Sequence, residues 1–168
     1  MMSKEKEFFN LAKKMNGRFS IIPLLSGSVA LSILAEEKVY NENSDIDIAV
    51  PHYMRPDRKT ICPDLVKFME NEGYKFVDTW EGEFHKGEFM IQINGDYGFN
   101  EYADIDITEC PIMQTDGAIY KILTLEQIFK SYTVSAEEDF RHPNPDTELI
   151  NNDKIRAEIA RKALDRNK

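Results

Sequence analysis

The segment Asp45-Ile46-Asp47-Ile48-Ala49-Val50 alternates acidic and apolar residues with a period of two, which a strand can satisfy and a helix cannot. Ile46, Ile48 and Val50 then face one side, while Asp45 and Asp47 share the other. At about 3.3 Å of rise per residue the two acidic Cα atoms stand roughly 6 to 7 Å apart. Both carboxylates can therefore reach one divalent cation or a closely spaced pair.

The residues upstream have a different chemistry. Residues 18–25 (RFSIIPLL) are apolar enough for a buried strand, and Pro23, which cannot donate to a ladder, suggests an edge position or a strand end. Ser26-Gly27-Ser28 breaks that pattern. Val29, Ala30, Leu31, Ile33, Leu34 and Ala35 then suit a helix starting near Ser28, whose free amides and hydroxyl would make an anion site. Gly27 would let a phosphate come close to the backbone. Magnesium prefers few carboxylates supplemented by substrate phosphates, so the two halves together point to metal-dependent nucleotide chemistry.

With Gly27-Ser28 opening a helix and Asp45-Ile46-Asp47 on the next strand, the chain resembles the nucleotidyltransferase superfamily related to DNA polymerase beta. The resemblance implies an α+β fold with a central mixed sheet flanked by helices. It also implies transfer of a nucleoside monophosphate from a nucleoside triphosphate, ATP by default, to an acceptor hydroxyl, with release of pyrophosphate. Gly27 and Ser28 would hold the nucleotide; Asp45 and Asp47 would be catalytic and bind Mg2+ or Mn2+. The 16 residues between Ser28 and Asp45 are more than is usual in the family, and residues 36–43 are expected to form an extended turn.

In the resembling enzymes a third carboxylate sits on a strand beside the first pair, where it ligates metal or takes the acceptor's proton, which requires hydrogen-bond reach. Residues 102–109 (YADIDITE) repeat the alternation and predict a second acidic strand. Asp106, flanked by isoleucines, is the first choice for the third acid and Asp104 the second. Gln92 lies on another candidate strand, and if that strand took the third place the site would lack its acid.

The rest of the chain completes one domain over residues 1–168, with a catalytic sheet core at 17–123 and a helical segment at 124–168. An opening helix over residues 3–15 has Phe8, Leu11, Ala12 and Met15 as its stripe and Asn16-Gly17 as its stop. Residues 63–72 read as a helix ended by Gly73; residues 74–80, 84–93 and 118–123 read as strands. Thr124-Leu125-Glu126-Gln127 matches a capping box, and Ser135-Ala136-Glu137-Glu138 matches a second. A terminal helix over residues 152–167 would turn Ile155, Ile159 and Leu164 inward. Residues 124–130 (TLEQIFK) also resemble the helix after the catalytic sheet in small nucleotidyltransferases linked to antibiotic modification and to toxin-antitoxin systems, which implies Lys130 as a nucleotide-binding cation.

Charge narrows the partners. A net charge of -9 opposes a broad nucleic-acid footprint, which needs clustered lysine and arginine. The acceptor is expected to be a small molecule, such as an aminoglycoside or lincosamide, or a protein hydroxyl. Arg55, Arg58 and Lys59 could meet phosphate, and Trp80, Phe84, Tyr97 or Phe99 could line an acceptor pocket. Cys62 and Cys110 lack zinc-like spacing and read as inert thiols, and His52, His85 and His142 lack the spacing of a metal pair. The charged start has no secretory h-region and no apolar run approaches ~18 residues, so a cytoplasmic protein without membrane spans is expected. Two other readings stay open: a non-catalytic nucleotidyltransferase-like binding module or antitoxin, and a glycosyltransferase using Asp-x-Asp with manganese.

Overall fold

Helix α1 (Lys4–Phe19) opens on Ser3, whose hydroxyl accepts from the Lys6 amide at 3.3 Å, and buries Phe8, Leu11, Ala12 and Met15 as their spacing requires. The computed structural model describes residues 3–50, 63–78, 82–95, 99, 103–137 and 146–167. Asn16-Gly17 does not stop α1. The Asn16 side chain instead donates to Ile21 O at 2.7 Å and Ile119 O at 2.9 Å and accepts from Ile119 N at 2.8 Å, while the helix runs on to a left-handed Ser20. The apolar stretch before Gly27 is consequently shorter as a strand than its composition predicts, and only β1 (Leu24–Ser26) pairs. Pro23 sits just before β1, where its missing N–H costs nothing and its carbonyl accepts from Lys121 N at 2.8 Å. The strand itself is internal, not an edge.

The chain continues through α2 (Gly27–Ala35), β2 (Ile46–Ala49), α3 (Pro63–Asn71), β3 (Lys75–Asp78), β4 (Glu83–Lys86) and β5 (Phe89–Asn94). It ends with β6 (Ile112–Thr115), β7 (Ala118–Ile122), α4 (Leu125–Ser135) and α5 (Thr147–Arg166). One seven-stranded mixed sheet results, in the order β3-β4-β5-β2-β1-β7-β6. Its apolar face carries Ile46, Ile48, Phe84, Ile91 and Ile93, all in the core. Helices α1 and α2 pack on β7, β1 and β2, α3 packs on β3, and α4 and α5 pack on one another and on α2. Among the described residues no helix is long and apolar enough to cross a membrane.

Three expectations are corrected. Residues 104–106 are not a strand: Asp104 has φ 49°, in the left-handed region, and Ile107–Glu109 is a single 3-10 turn. Two causes act together. The Asp106 carboxylate accepts from Thr108 N at 2.8 Å and Thr108 Oγ1 at 2.6 Å, a local bond that competes with any ladder. Both edges of β2 are also already taken, by β1 and β5. Second, Ser135 is the last residue of α4, Glu138 of the second box lies outside the described residues, and Asp146 caps α5 by accepting from Glu148 N at 2.9 Å and Leu149 N at 3.1 Å. Third, only part of the expected stripe of α5 turns inward: Ile159 and Leu164 pack against the core beside buried Ala157, Ala160 and Ala163, while Ile155 is 58% exposed. The capping box at α4 forms as expected, with Thr124 Oγ1 accepting from Gln127 N at 3.2 Å and Gln127 Oε1 from Thr124 N at 2.9 Å. The β6–β7 hairpin was not anticipated, although Asp116-Gly117, at φ 51° and 80°, is a strong signal for its turn.

Candidate active site

The junction of β1 and α2 brings the two halves of the motif into contact. Gly27 has φ 66°, and a Cβ built on it would stand 1.8 Å from Asp47 Oδ2. Glycine is therefore required twice, for the left-handed backbone and for the space the Asp47 carboxylate occupies. Ser26 Oγ adds a bond to Asp47 O at 3.4 Å, and Ser28 is buried in the first turn of α2, its carbonyl accepting from Ser32 Oγ at 2.9 Å. A helix N-terminus attracts anions, yet here a carboxylate already occupies its approach. A phosphate brought to the same place would be repelled by Asp47 unless a cation lay between them.

Asp45 is half-buried at the entry to β2, and the extended turn before it is tightly tied. Val39 N donates to Ser32 Oγ at 2.9 Å, Tyr40 Oη to Glu5 Oε2 at 2.6 Å, and Asn41 N to Ser44 Oγ at 3.1 Å. Lys4, buried on α1, donates to Ser44 O and, at 3.0 Å, to Glu42 O. Burial pushes the Asp45 carboxyl above the usual carboxylate range, against the pull of a backbone hydrogen bond and of the Arg156 and Lys4 charges. Replacing Lys4 with Met should remove two charge-assisted bonds and lower stability by about 1.5–3 kcal/mol, read as a fall in the denaturant midpoint.

The sheet register shows what stands beside the pair. Ser26, Asp47, Gln92 and Glu83 lie opposite one another on β1, β2, β5 and β4 and form one row across the same face. The neighbour of Asp47 on β5 is thus an amide, and the nearest acid in that row, Glu83, is two strands away, about 10 Å between Cα atoms. Glu83 in turn bonds His85 Nε2. Nothing local in the sequence singles out Glu83 or His85; only the strand pairing does. Among the described residues no three His, Cys, Asp or Glu come together as a metal-binding group; Asp104 pairs with Lys130 and Asp106 bonds Thr108. The two Asp carboxylates by themselves nevertheless fit magnesium, which takes one or two when phosphates supply the remaining oxygens.

The other expected residues separate by position. Lys130 Nζ donates to Asp104 O at 2.8 Å and to Asp104 Oδ2 at 3.2 Å, an exposed pair that contributes little. Asp106 is exposed, its carboxyl held below the usual range by Thr108. Phe84 is core, Phe99 packs against the core, and Cys110 is buried. Arg55, Arg58, Lys59, Trp80, Tyr97, Cys62, His52 and His142 lie outside the described residues. Sequence reasoning missed Arg156, on α5, whose charge reaches Asp45; Tyr132, on α4, feels Asp45 and Asp47.

No known family model matches the chain. It is 35% identical over 143 residues to the uncharacterised protein YnaI of Bacillus subtilis, covering 83% of this chain and 86% of that one. In three dimensions it is similar to an antigenic nucleotidyltransferase-like protein from Paracoccidioides brasiliensis, with a TM-score of 0.56, 12% identity, and 98% of this chain and 88% of that one covered. It is also similar to the antibiotic-resistance factor ANT(2'')-Ia in solution, with a TM-score of 0.50, 16% identity, and 99% and 94% covered. ANT(2'')-Ia in complex with adenylyl-2''-tobramycin superimposes with a TM-score of 0.50 at 12% identity, covering 99% of this chain and 100% of that one. The chain belongs to the family of YnaI, and its fold is that of the nucleotidyltransferase superfamily.

Proposed function

We propose that the protein is a cytoplasmic, metal-dependent nucleotidyltransferase that moves a nucleoside monophosphate from a nucleoside triphosphate, ATP by default, to a hydroxyl of a small molecule or protein. The observation that carries this reading is the Asp47 carboxylate lying against Gly27 at the start of α2, with Asp45 just before β2. In this scheme Asp45 and Asp47 hold Mg2+, and Gly27 and Ser28 receive the nucleotide phosphates. Bound there, the metal would supply Lewis-acid stabilisation of charge on the phosphate oxygens. The acceptor hydroxyl oxygen forms its bond to the α-phosphorus and gives up its proton to solvent, the bond to pyrophosphate breaks, and positioning supplies much of the rate. A polyhydroxylated, cationic acceptor suits the acidic face, and the structurally similar ANT(2'')-Ia is in complex with adenylyl-2''-tobramycin. Incubation with α-labelled nucleoside triphosphates and a panel of aminoglycosides, lincosamides and proteins should give a labelled acceptor; no transfer to any of them counts against the proposal.

Gln92 favours a second reading, a nucleotide-binding module without turnover, because it puts an amide where a third carboxylate would strengthen metal binding. Gln92→Asp separates the two. It should tighten Mg2+ about tenfold by adding charge to the site. A gain of transfer in the variant over an inert wild type would establish the binding-module reading, whereas an active wild type removes it. Isothermal titration with Mg2+ checks the affinity.

A further inference from the structure

The row of residues across the sheet has a direction. Ser26, with Gly27 after it, stands on one side of Asp47, while Gln92 and then Glu83 stand on the other. In the nucleotidyl-transfer reading the phosphates lie on the Gly27 side, at the start of α2. Displacement at phosphorus is in line, with the attacking and leaving oxygens on opposite sides of the phosphorus. With pyrophosphate leaving toward α2, the acceptor oxygen arrives over β5 and β4.

On β5 the residue paired with Asp47 is Gln92, an amide, which takes no proton. On β4 the situation differs. Glu83 and His85 are two residues apart on one strand, so both side chains leave the face opposite to Phe84, which is in the core. Glu83 Oε1 bonds His85 Nε2, and in the neutral ring that bond places the proton on Nε2 and leaves the Nδ1 lone pair as an acceptor. The side chains of His85 and Glu83 are 41% and 23% exposed, so the pair adds little to stability and the ring stays open to a ligand and to water. Strands β2 and β4 are two spacings apart, about 10 Å. An acceptor oxygen within about 3–3.5 Å of the phosphorus and about 2.6–3.2 Å from a base covers roughly 6 Å of that span. The length of the imidazole side chain covers the rest, from a strand where a short carboxylate would not.

We infer that His85, oriented by Glu83, takes the proton of the acceptor hydroxyl on Nδ1 as the hydroxyl oxygen bonds the α-phosphorus, and then releases that proton to solvent. The inference rests on the nucleotidyl-transfer reading and supplies the base that Gln92 cannot be. The O–H bond breaks as the O–P bond forms, pyrophosphate leaves with the electron pair of the broken P–O bond, and the imidazolium charge faces the Glu83 carboxylate. Glu83 is the positioning residue. The experiment follows transfer from α-labelled ATP in Mg2+ by the full chain to whichever member of the acceptor panel the wild type labels. Calorimetric titration with α,β-methylene-ATP and thermal denaturation run alongside. His85→Gln should lower kcat about a hundredfold and leave the affinity for the analogue unchanged. Imidazole added to His85→Gly should restore part of the lost rate, a response that a structural role does not give, and Glu83→Gln should lose rate several-fold. Undiminished kcat in His85→Gln overturns the assignment, as does a loss of analogue affinity equal to the loss of rate, or His85→Gly that imidazole does not rescue. Should the His85 variants fail to fold, Glu83→Gln decides, since undiminished kcat there overturns the pair's role. A wild type that labels no acceptor overturns the nucleotidyl-transfer reading itself, and this inference with it.

Discussion

Gly27→Ala is expected to abolish nucleotide binding and to lower the melting temperature. The left-handed backbone alone costs a non-glycine residue about 1–2 kcal/mol. The new methyl would also meet Asp47 Oδ2 at 1.8 Å and Asp47 Cγ at 2.7 Å, distances no pair of atoms can hold. Either Asp47 swings off the site or the start of α2 shifts away from β2. In both cases the carboxylate and the helix N-terminus no longer meet. Calorimetric titration with Mg2+ and a triphosphate analogue reads the loss, and thermal denaturation reads the strain. Wild-type binding by Gly27→Ala would mean that the contact has no part in the site.

Asp45→Asn should move activity and stability in opposite directions. On the proposed function, losing a carboxylate that would hold the metal removes several kcal/mol of transition-state stabilisation, so transfer should fall by roughly 10²–10³-fold. Yet the folded protein keeps the Asp45 carboxyl protonated to higher pH than the unfolded chain does, chiefly because of burial. In metal-free buffer its contribution to stability is present in full below the ordinary carboxylate range and is lost as pH rises through the elevated folded value. Above that window the charge is a burden, and asparagine removes it. Asp45→Asn should therefore be more stable than wild type at neutral pH in EDTA, with the difference shrinking as pH falls below the folded value. A site that sacrifices stability for chemistry behaves this way. Equal stability of the two proteins across that range would show that Asp45 is solvated well enough to ionise without cost.

The parts of the molecule set by neighbours in sequence were legible from sequence. Ile46, Ile48 and their intervening acids could only be a two-faced strand, Gly27 marked a turn, and Thr124 with Gln127 closed its capping box as the spacing demanded. Residues 102–109 misled because alternation reports one buried face and not a ladder. Ala103 and Ile105 are buried, but the Asp106 side chain spends its bonds on Thr108 and the backbone turns. For the strand beside Asp47 the sequence offered two candidates, residues 102–109 and the strand of Gln92, and could not choose between them. That Gln92 flanks Asp47, with Glu83 beyond, depends on β5 pairing with β2 in parallel and with β4 in antiparallel. Arg156 was hidden because the inward face of α5 was placed by its large apolar residues, whereas Asp153 and the small Ala157, Ala160 and Ala163 are buried on it. Asp146 followed by Thr147 and Glu148 is the helix-start signal that was passed over.

The central claim, nucleotidyl transfer at the Asp45–Asp47 strand, is tested most directly by following the two ends of one nucleotide. Wild-type protein with Mg2+ and acceptor should place the label of α-labelled ATP on the acceptor and release the label of γ-labelled ATP as pyrophosphate. The double variant Asp45→Asn, Asp47→Asn should do neither while remaining folded. γ-label on the acceptor, or α-label transferred undiminished by the double variant, would contradict the account.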